Sequence, residues 1–231
     1  METVKIGKQE WSTENLNVDH FNNGDEIQQI ESSEDWLMYL KEKKPAWCYY
    51  ENDASNGKKY GKLYNWYAIN DPRGIAPKGY HIPSDTEWTE LTDYLDGVPD
   101  EYVKLSSNSM RKLSNPNDII GSGTIAGPKM KNDSGWNNSE NGTNDSGFSA
   151  LPAGKRSGFD GNFANIGETG YWWSSTEANR KDNSSFQRDN YKDKAYGRTL
   201  EPNTLYGIKL GRIFKEKKFK EGGFSVRCLR D

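Results

Sequence analysis

The chain has 231 residues, enough to bury a hydrophobic core, and it carries a net charge of −3. Only 32% of its residues are hydrophobic, yet 13% are aromatic, including eight Trp and thirteen Tyr. Disordered chains combine such polarity with few aromatic residues, so disorder is excluded; the mixed charges do not favour a nucleic-acid partner, and no apolar run is long enough for direct membrane insertion.

The predicted elements begin with a strand in TVKIGKQEW (3–11), where apolar residues alternate with lysines. A short helix is predicted over 32–43, because serines precede acidic residues and an apolar stripe follows. Two aromatic-rich strands around an Asn-Gly turn at 56–57 are predicted within 46–70, since that dipeptide favours a tight hairpin.

The clearest helix signal lies in GYHIPSDTEWTELTDYL (79–95). Ser84 and Glu87 have the spacing of a capping box, and Trp88 begins an apolar stripe at helical spacing. A weaker helical pattern covers about 100–113.

The sequence of the second half of the chain predicts loops and short strands. Residues 131–147 predict a loop too polar to pack, and 177–203 a long polar segment. Short strands are expected near 148–151, 171–175, 205–210 and 223–229. No repeat or linker divides the chain, so the prediction is one α+β domain spanning 1–231.

Two adjacent tryptophans stand out in GYWWSST (170–176). Neighbouring strand residues point to opposite faces, so Trp172 and Trp173 cannot enter the same core. We expect Trp173, with Tyr171, to face the helices and Trp172 to lie beside the segment 177–203. Two interpretations of Trp172 stay open: it seeds a second, smaller core, or its edge forms the floor of a binding surface.

The polar segment that follows is rich in Tyr, Arg, Asn, Ser and Gly, the composition of antibody-like contact loops. With Trp172, the predicted ligand-binding residues are Phe186, Arg188, Tyr191, Tyr196 and Tyr206. Aromatic faces of this kind suit a glycan, and the same loops suit a protein ligand. The sequence does not separate these two ligands.

The sequence contains few of the residues and motifs that catalysis commonly requires. His20 and His81 are the only histidines, whereas non-haem iron generally needs two histidines and a carboxylate. His81 precedes a helix and is expected to be a structural hydrogen-bonding residue. No nucleophile elbow or phosphate-binding loop is present, so we predict no catalytic residues and no metal centre.

Calcium is the one ion that the sequence leaves open, because it prefers oxygen ligands. Such oxygens cluster at Asn132, Asp133, Asn144, Asp145, Asp160 and Asn162. Their spacing does not match an EF-hand loop, and ordinary turn chemistry also explains these residues. The expectation is therefore no cofactor, with calcium as the alternative.

Several segments together resemble the Fibrobacter succinogenes major paralogous domain of bacteria. They are TVKIGKQEWSTENLNV, KPAWCYYENDASNGKKYGKLYNWYAINDPRGIAPKGYHIPSDTEWTELTDYL, SGWNNSENGTNDSGFSALPAG, GYWWSST and GFSVRCLRD. The stretches at about 97–124 and 177–222 depart from the pattern as divergent insertions. GYHIPSDTEW and GFSVRC are also distantly similar to the formylglycine-generating enzyme superfamily. Both resemblances imply a C-type-lectin-like fold, with two main helices and a small, mostly antiparallel sheet carrying long irregular loops.

The resemblance implies an exported or surface-anchored bacterial protein, often a lipoprotein, whose leader is not part of this chain. We therefore expect a non-catalytic binding or adhesion module that recognises a glycan or a surface protein. The alternatives are a metal-dependent oxidase or oxygenase of the formylglycine-generating type, and a structural subunit of a surface assembly.

Cys48 and Cys228 are too far apart in sequence for a redox or zinc motif. They form either a buried disulfide or two buried free thiols. The extracellular placement favours the disulfide.

Overall fold

The computed structural model describes residues 1–97, 125–178, 194–202, 204–205, 208–209, 213–220 and 222–231. The helix predicted at 100–113 lies outside these residues. Within them the chain is α+β, with short helices and small, mostly antiparallel sheets. None of the described helices has both the length and the apolar character needed to cross a bilayer.

The described helices are α1 (Ser33–Lys41), α2 (Ala54–Tyr60), α3 (Trp66–Ile69), α4 (Asp85–Asp96) and α5 (Ala126–Met130). The described strands are β1 (Thr3–Ile6), β2 (Gln9–Ser12), β3 (Gln28–Gln29), β4 (Ala46–Cys48), β5 (Leu63–Tyr64), β6 (Tyr80–His81), β7 (Ala153–Arg156), β8 (Phe163–Ile166), β9 (Gly170–Glu177), β10 (Lys194–Leu200), β11 (Thr204–Leu205), β12 (Ile208–Lys209), β13 (Ile213–Phe219) and β14 (Leu229–Arg230).

A four-stranded sheet joins the two ends of the chain in the order β1-β2-β14-β6. Trp11 of β2 lies opposite both Val4 and Leu229. The segment 3–11, predicted as one strand, is therefore a hairpin. The other described sheets are β13-β10-β9, β3-β4-β5, β7-β8 and β11-β12, and β3 runs parallel to β4.

Helix α4 confirms the clearest sequence prediction. The Ser84 hydroxyl accepts a hydrogen bond from the Glu87 amide at 3.3 Å, and the Glu87 carboxylate accepts one from the Ser84 amide at 2.7 Å. The predicted helix at 32–43 is α1, whose N-cap Ser32 accepts from the Asp35 amide at 3.0 Å. Both helices begin where local side chains satisfy their first amides, so sequence alone could find them.

The predicted hairpin turn at 56–57 is wrong, because Asn56 and Gly57 lie inside helix α2. Asp53 caps this helix by accepting from the Ser55 amide at 2.8 Å. A Cβ atom added to Gly57 would lie 2.1 Å from the Tyr49 ring. Glycine is therefore needed here for close packing against an aromatic ring and not for a left-handed turn.

Both tryptophans of the doublet are fully buried at 0% exposure, on opposite faces of β9. The Trp172 ring centroid lies 6.3 Å from those of Trp88 in α4 and Phe148. Trp173 packs at 4.5 Å against Phe224. The predicted sides are therefore reversed, because Trp172 is the residue that faces the main helix, and it belongs to the core.

The segment 131–147 is fastened to the core, contrary to the prediction of a loop too polar to pack. Trp136 is buried, and its indole N–H donates to the Ala150 carbonyl at 3.0 Å. The Lys131 ammonium lies 4.2 Å from the Trp136 ring centroid. The expected strand at 148–151 is only an isolated bridge between Lys131 and Ala150.

The predicted disulfide is wrong, because Cys48 and Cys228 are both free and buried. The two thiols occupy different hydrophobic clusters: Cys48 packs with Ile30 and Trp36, and Cys228 with Trp66 and its neighbours. Burial raises the pKa of each thiol to about 12, so neither is a ready thiolate at neutral pH.

Replacing Trp172 with alanine is expected to lower the free energy of unfolding by about 3–5 kcal/mol, because it opens a cavity beside Trp88. Urea denaturation measures this change. The control is Tyr94→Ala, since Tyr94 is 58% exposed, and its effect is expected to stay within about 0.5 kcal/mol. Equal, small effects of the two substitutions would show that Trp172 is not a core residue.

The thiols give a second test of the core. Both cysteines are expected to react with an aromatic disulfide reagent only in denaturant, and a reducing agent is expected to leave the melting temperature unchanged. Absorbance at neutral pH counts the reacting thiols. A fall of the melting temperature on reduction would instead indicate a disulfide.

Candidate functional site

Two of the six predicted ligand-binding residues lie in the described structure, and both are buried. Trp172 has no exposed surface, and Tyr196 of β10 is 3% exposed. The Lys215 ammonium covers the Tyr196 ring at 3.8 Å from its centroid. Neither side chain is therefore exposed to solvent, and Trp172 belongs to a hydrophobic cluster with Trp88 and Phe148. The other four, Phe186, Arg188, Tyr191 and Tyr206, lie outside the described residues.

The oxygen-bearing residues considered for calcium lie in two separate turns. The Asn144 amide side chain donates to the Asn132 side chain at 3.5 Å and to the Ser149 hydroxyl at 3.0 Å. Asp160 accepts from Asn162 in another turn. Asp133 and Asp145 are exposed. Within the described part of the chain, no group of three His, Cys, Asp or Glu side chains converges on a common point.

His81 makes structural hydrogen bonds, as the sequence predicts. Its ring nitrogens lie 2.8 Å from an Asp231 oxygen and 2.9 Å from a Glu87 oxygen. Burial lowers the pKa of His81, but these two carboxylates outweigh it and the net shift is upward. His81 therefore links the start of α4 to the C-terminal strand. His20 is exposed and contacts Asp19.

A cavity of about 510 Å³, the polar cleft, opens between the N-terminal hairpin and helix α2. Its lining includes Glu2, Glu14, Asn15, Asn17, Lys58, Lys59, Asn132, Ser149 and Arg227. Charges of both signs occur around it.

Asn15 and Arg227 form the floor of the polar cleft. The Asn15 side-chain oxygen accepts from Trp172 Nε1 at 2.9 Å and from Arg227 Nε at 2.8 Å. Arg227 also donates to the Ser12 and Ser149 carbonyls at 2.6 and 3.0 Å. Burial lowers the pKa of Arg227 to about 9, so the guanidinium stays charged at neutral pH. This network joins the N-terminal segment, the polar loop and the core, which makes the cleft floor a structural element.

A second cavity, of about 490 Å³, is apolar and positively charged, and we call it the lysine–phenylalanine pocket. Its apolar residues are Leu37, Leu40, Phe159, Phe219 and Phe224. Its cationic residues are Lys41, Lys155, Arg156 and Lys218. The pocket lies between helix α1, strand β7 with its following turn, and the C-terminal end of β13.

Phe159 is 92% exposed at the rim of this pocket, and Phe219 is 58% exposed. A tight turn holds Phe159 in place: its amide donates to the Ser157 hydroxyl at 3.2 Å, and the Ser157 amide donates to the Asn162 carbonyl at 2.7 Å. The aromatic ring therefore stands on an ordered turn although it has almost no contacts of its own.

Arg156 fixes that turn to the rest of the domain. Its guanidinium is fully buried and donates to the carbonyls of Gly161, Ile30 and Glu31 at 3.0, 2.5 and 2.8 Å. It also lies 4.6 Å from the Trp36 ring centroid. The wall of the lysine–phenylalanine pocket is thus tied to the hydrophobic cluster below it.

The lysines bring positive charge to the pocket from three different elements. The ammonium groups of Lys155 and Lys218 lie 5.1 and 5.0 Å from the Tyr171 ring centroid. Burial lowers the pKa of Lys218, and the charge of Lys155 lowers it further, while Glu216 opposes both effects. Lys41 is exposed at the end of α1. None of the described lining residues is acidic.

Sequence reasoning missed this pocket. Around Phe159, only Asp160 and Asn162 were considered, as calcium ligands. A phenylalanine between Gly158 and the Asp-Gly pair was the available signal, since turn residues leave little room to bury a ring. The convergence of three lysines from distant segments had no signal in the sequence.

Comparison with known proteins identifies the family but no individual relative. The family model of the Fibrobacter succinogenes major domain matches residues 4–230, which confirms the resemblance. No curated protein and no solved structure matches the chain. The chain belongs to the Fibrobacter succinogenes major domain family.

Removing Asn15 is expected to cost about 1–3 kcal/mol of unfolding free energy, because Trp172 and Arg227 would each lose a buried acceptor. Chemical denaturation of Asn15→Ala measures this loss. The matched control is Asn17→Ala, since the side chain of exposed Asn17 makes one hydrogen bond among the described residues, to the Gly57 carbonyl at 3.3 Å. Similar effects of the two substitutions would contradict the structural role of Asn15.

Proposed function

We propose that this member of the Fibrobacter succinogenes major domain family is a non-catalytic binding module of an exported or surface-anchored bacterial protein. In this proposal the domain is C-type-lectin-like, and the lysine–phenylalanine pocket holds its ligand. The ligand is a macromolecule at the cell surface, and the proposal requires no cofactor.

The arrangement of the terminal strands supports the C-type-lectin-like fold. Strands β2 and β14 pair in one sheet, so the two ends of the chain meet. Helix α4 packs through Trp88 against Trp172 of β9, and long irregular segments connect the short strands. A frame of this kind leaves turns and loops free to carry contacts.

The observation that carries the proposal is the 92% exposure of Phe159 beside an apolar pocket. Exposed apolar groups beside such a pocket mark interaction sites, and aromatic side chains supply much of the binding energy at interfaces. Since the turn that holds Phe159 is already ordered, a ligand would lose little of its binding energy to ordering the site.

The lining chemistry supports recognition. Phenylalanine and leucine side chains supply contact area, and lysine ammonium groups supply charge at the rim. A pocket with this lining would discriminate between ligands by their shape and their charge, as a binding or adhesion module requires.

Phe159→Ser is expected to weaken ligand capture at least ten-fold, because it removes the exposed ring and leaves the core intact. The probe is an array of bacterial surface polysaccharides and random twelve-residue peptides, incubated with the labelled purified protein. Tyr94→Ser is the matched control, since it removes another exposed aromatic ring, from helix α4.

Thermal melts of both variants are expected to match that of the unchanged protein, because surface substitutions cost little. Array spots that bind the protein and the Tyr94 variant but not the Phe159 variant would support the proposal. The absence of any spot that distinguishes the two variants would refute it.

A further inference from the structure

We propose that the ligand of the lysine–phenylalanine pocket is an acidic polypeptide segment, in which carboxylates flank an aliphatic or aromatic side chain. This inference rests on the proposed function and adds the charge and the class of the partner. The argument uses the positive rim, the apolar floor and the small number of neutral polar groups.

Two of the three lysines at the rim have no counter-charge among the described residues. Lys41, Lys155 and Lys218 surround the opening, and the described lining holds no carboxylate. Lys218 pairs with Glu216, which also accepts from the Thr199 hydroxyl. Lys41 and Lys155 have no ion-pair partner among the described residues. A ligand with negative charge is therefore attracted, and a positively charged one is repelled.

The turn beside the pocket does not neutralise this charge. Asp160 follows Phe159 and keeps its negative charge, since the Asn162 amide and side chain that donate to it at 3.2 and 2.8 Å are neutral; it is not among the described residues that line the pocket, so it does not pair with the lysines there. The buried Arg156 directs its guanidinium to three backbone carbonyls, which carry no net charge. An incoming carboxylate would thus meet at least two lysines that are not already paired.

The floor of the pocket favours a side chain over a sugar. Leu37, Leu40 and Phe224 present carbon atoms, and Ser157 is the one neutral polar side chain among the described lining residues. The hydroxyl groups of a sugar ring that face this apolar floor would lose water without gaining a partner, and the lysine ammonium groups could reach only those at the rim. An aliphatic or aromatic side chain would bury its surface at no such cost.

The exposed phenylalanine rings at the rim of the pocket also favour a peptide ligand. Phe159 and Phe219 are exposed on two different elements, so an extended peptide could place an apolar residue between them while neighbouring carboxylates reach the lysines. Aromatic contact area combined with peripheral charge is the usual composition of peptide-binding surfaces.

The test uses three labelled synthetic peptides and fluorescence anisotropy. The first has the sequence Glu-Glu-Leu-Phe-Glu-Glu, the second replaces every glutamate with lysine, and the third replaces Leu-Phe with Ser-Ser. The first peptide is expected to bind at least ten-fold more tightly than either of the others. Its affinity is also expected to fall as salt rises from about 50 to 300 mM, because salt screens exposed charges.

Charge reversal gives the decisive comparison. The double substitution Lys41→Glu and Lys155→Glu is expected to reverse the preference between the acidic and basic peptides, whereas Lys58→Glu, in the polar cleft, is expected to change it less than two-fold. The neutral double variant Lys41→Gln and Lys155→Gln keeps the test valid if reversal prevents folding, and it is expected to remove the preference. A preference unchanged by both double variants would overturn the inference.

The outcomes separate this inference from the proposed function. If all peptides bind alike but Phe159→Ser still abolishes binding, the pocket is a binding site and the acidic assignment is wrong. If Phe159→Ser and charge reversal both leave binding unchanged, both proposals fail. Tighter binding of an acidic polysaccharide such as polyglucuronate, lost on Phe159→Ser, would overturn the polypeptide class.

Discussion

The architecture depends on one strand that is buried on both of its faces. Because successive side chains of β9 alternate, Trp172 and Trp173 enter two different hydrophobic clusters, and each indole N–H must find an acceptor without water. Trp172 donates to Asn15 and Trp173 to the Tyr64 carbonyl. One cluster gathers α4 and the terminal strands, and the other gathers the shorter helix α3 and the segment around Phe224. Both faces of β9 are closed from 170 to 174, so the proposed ligand contacts lie on the turns and strand ends around this part of the strand.

Buried polar side chains supply backbone hydrogen bonds that longer sheets supply in other proteins. Strands of two to four residues leave many backbone groups without a ladder partner, and each buried group needs a hydrogen bond. Asn65 accepts from the amides of Ala46 and Ala68 and donates to the Lys44 carbonyl, so it joins the start of β4 to helix α3. Arg156 and Arg227 serve other loops in the same manner. The high aromatic content fits this design, because large rings fill the space between loops whose path is set by these polar anchors.

Elements whose structure depends on residues within one short segment could be predicted from the sequence. Features that depend on contacts between distant residues could not. Helix α4 was predictable because its capping box and apolar stripe lie within one short segment. The Asn-Gly pair wrongly predicted a hairpin turn, because glycine is required at 57 for close packing against the Tyr49 ring. Turn preferences do not take such a distant contact into account. Strand alternation showed that the two tryptophans separate, but only the packing of Trp88 decides which faces the helix. The family was recognisable because several motifs occur in order, whereas the lysine–phenylalanine pocket joins residues from α1, β7 and β13 and had no linear pattern.

The buried Arg156 and the exposed Phe159 have separate roles, and this separation has an evolutionary consequence. Arg156 secures the Phe159 turn from below through backbone carbonyls, which every residue type supplies. The Phe159 ring contributes almost nothing to folding, so this residue can be exchanged at little thermodynamic cost. Under the proposed function, a lineage that duplicates this domain can therefore change its ligand by substitution at Phe159, while selection on the buried frame keeps the fold constant.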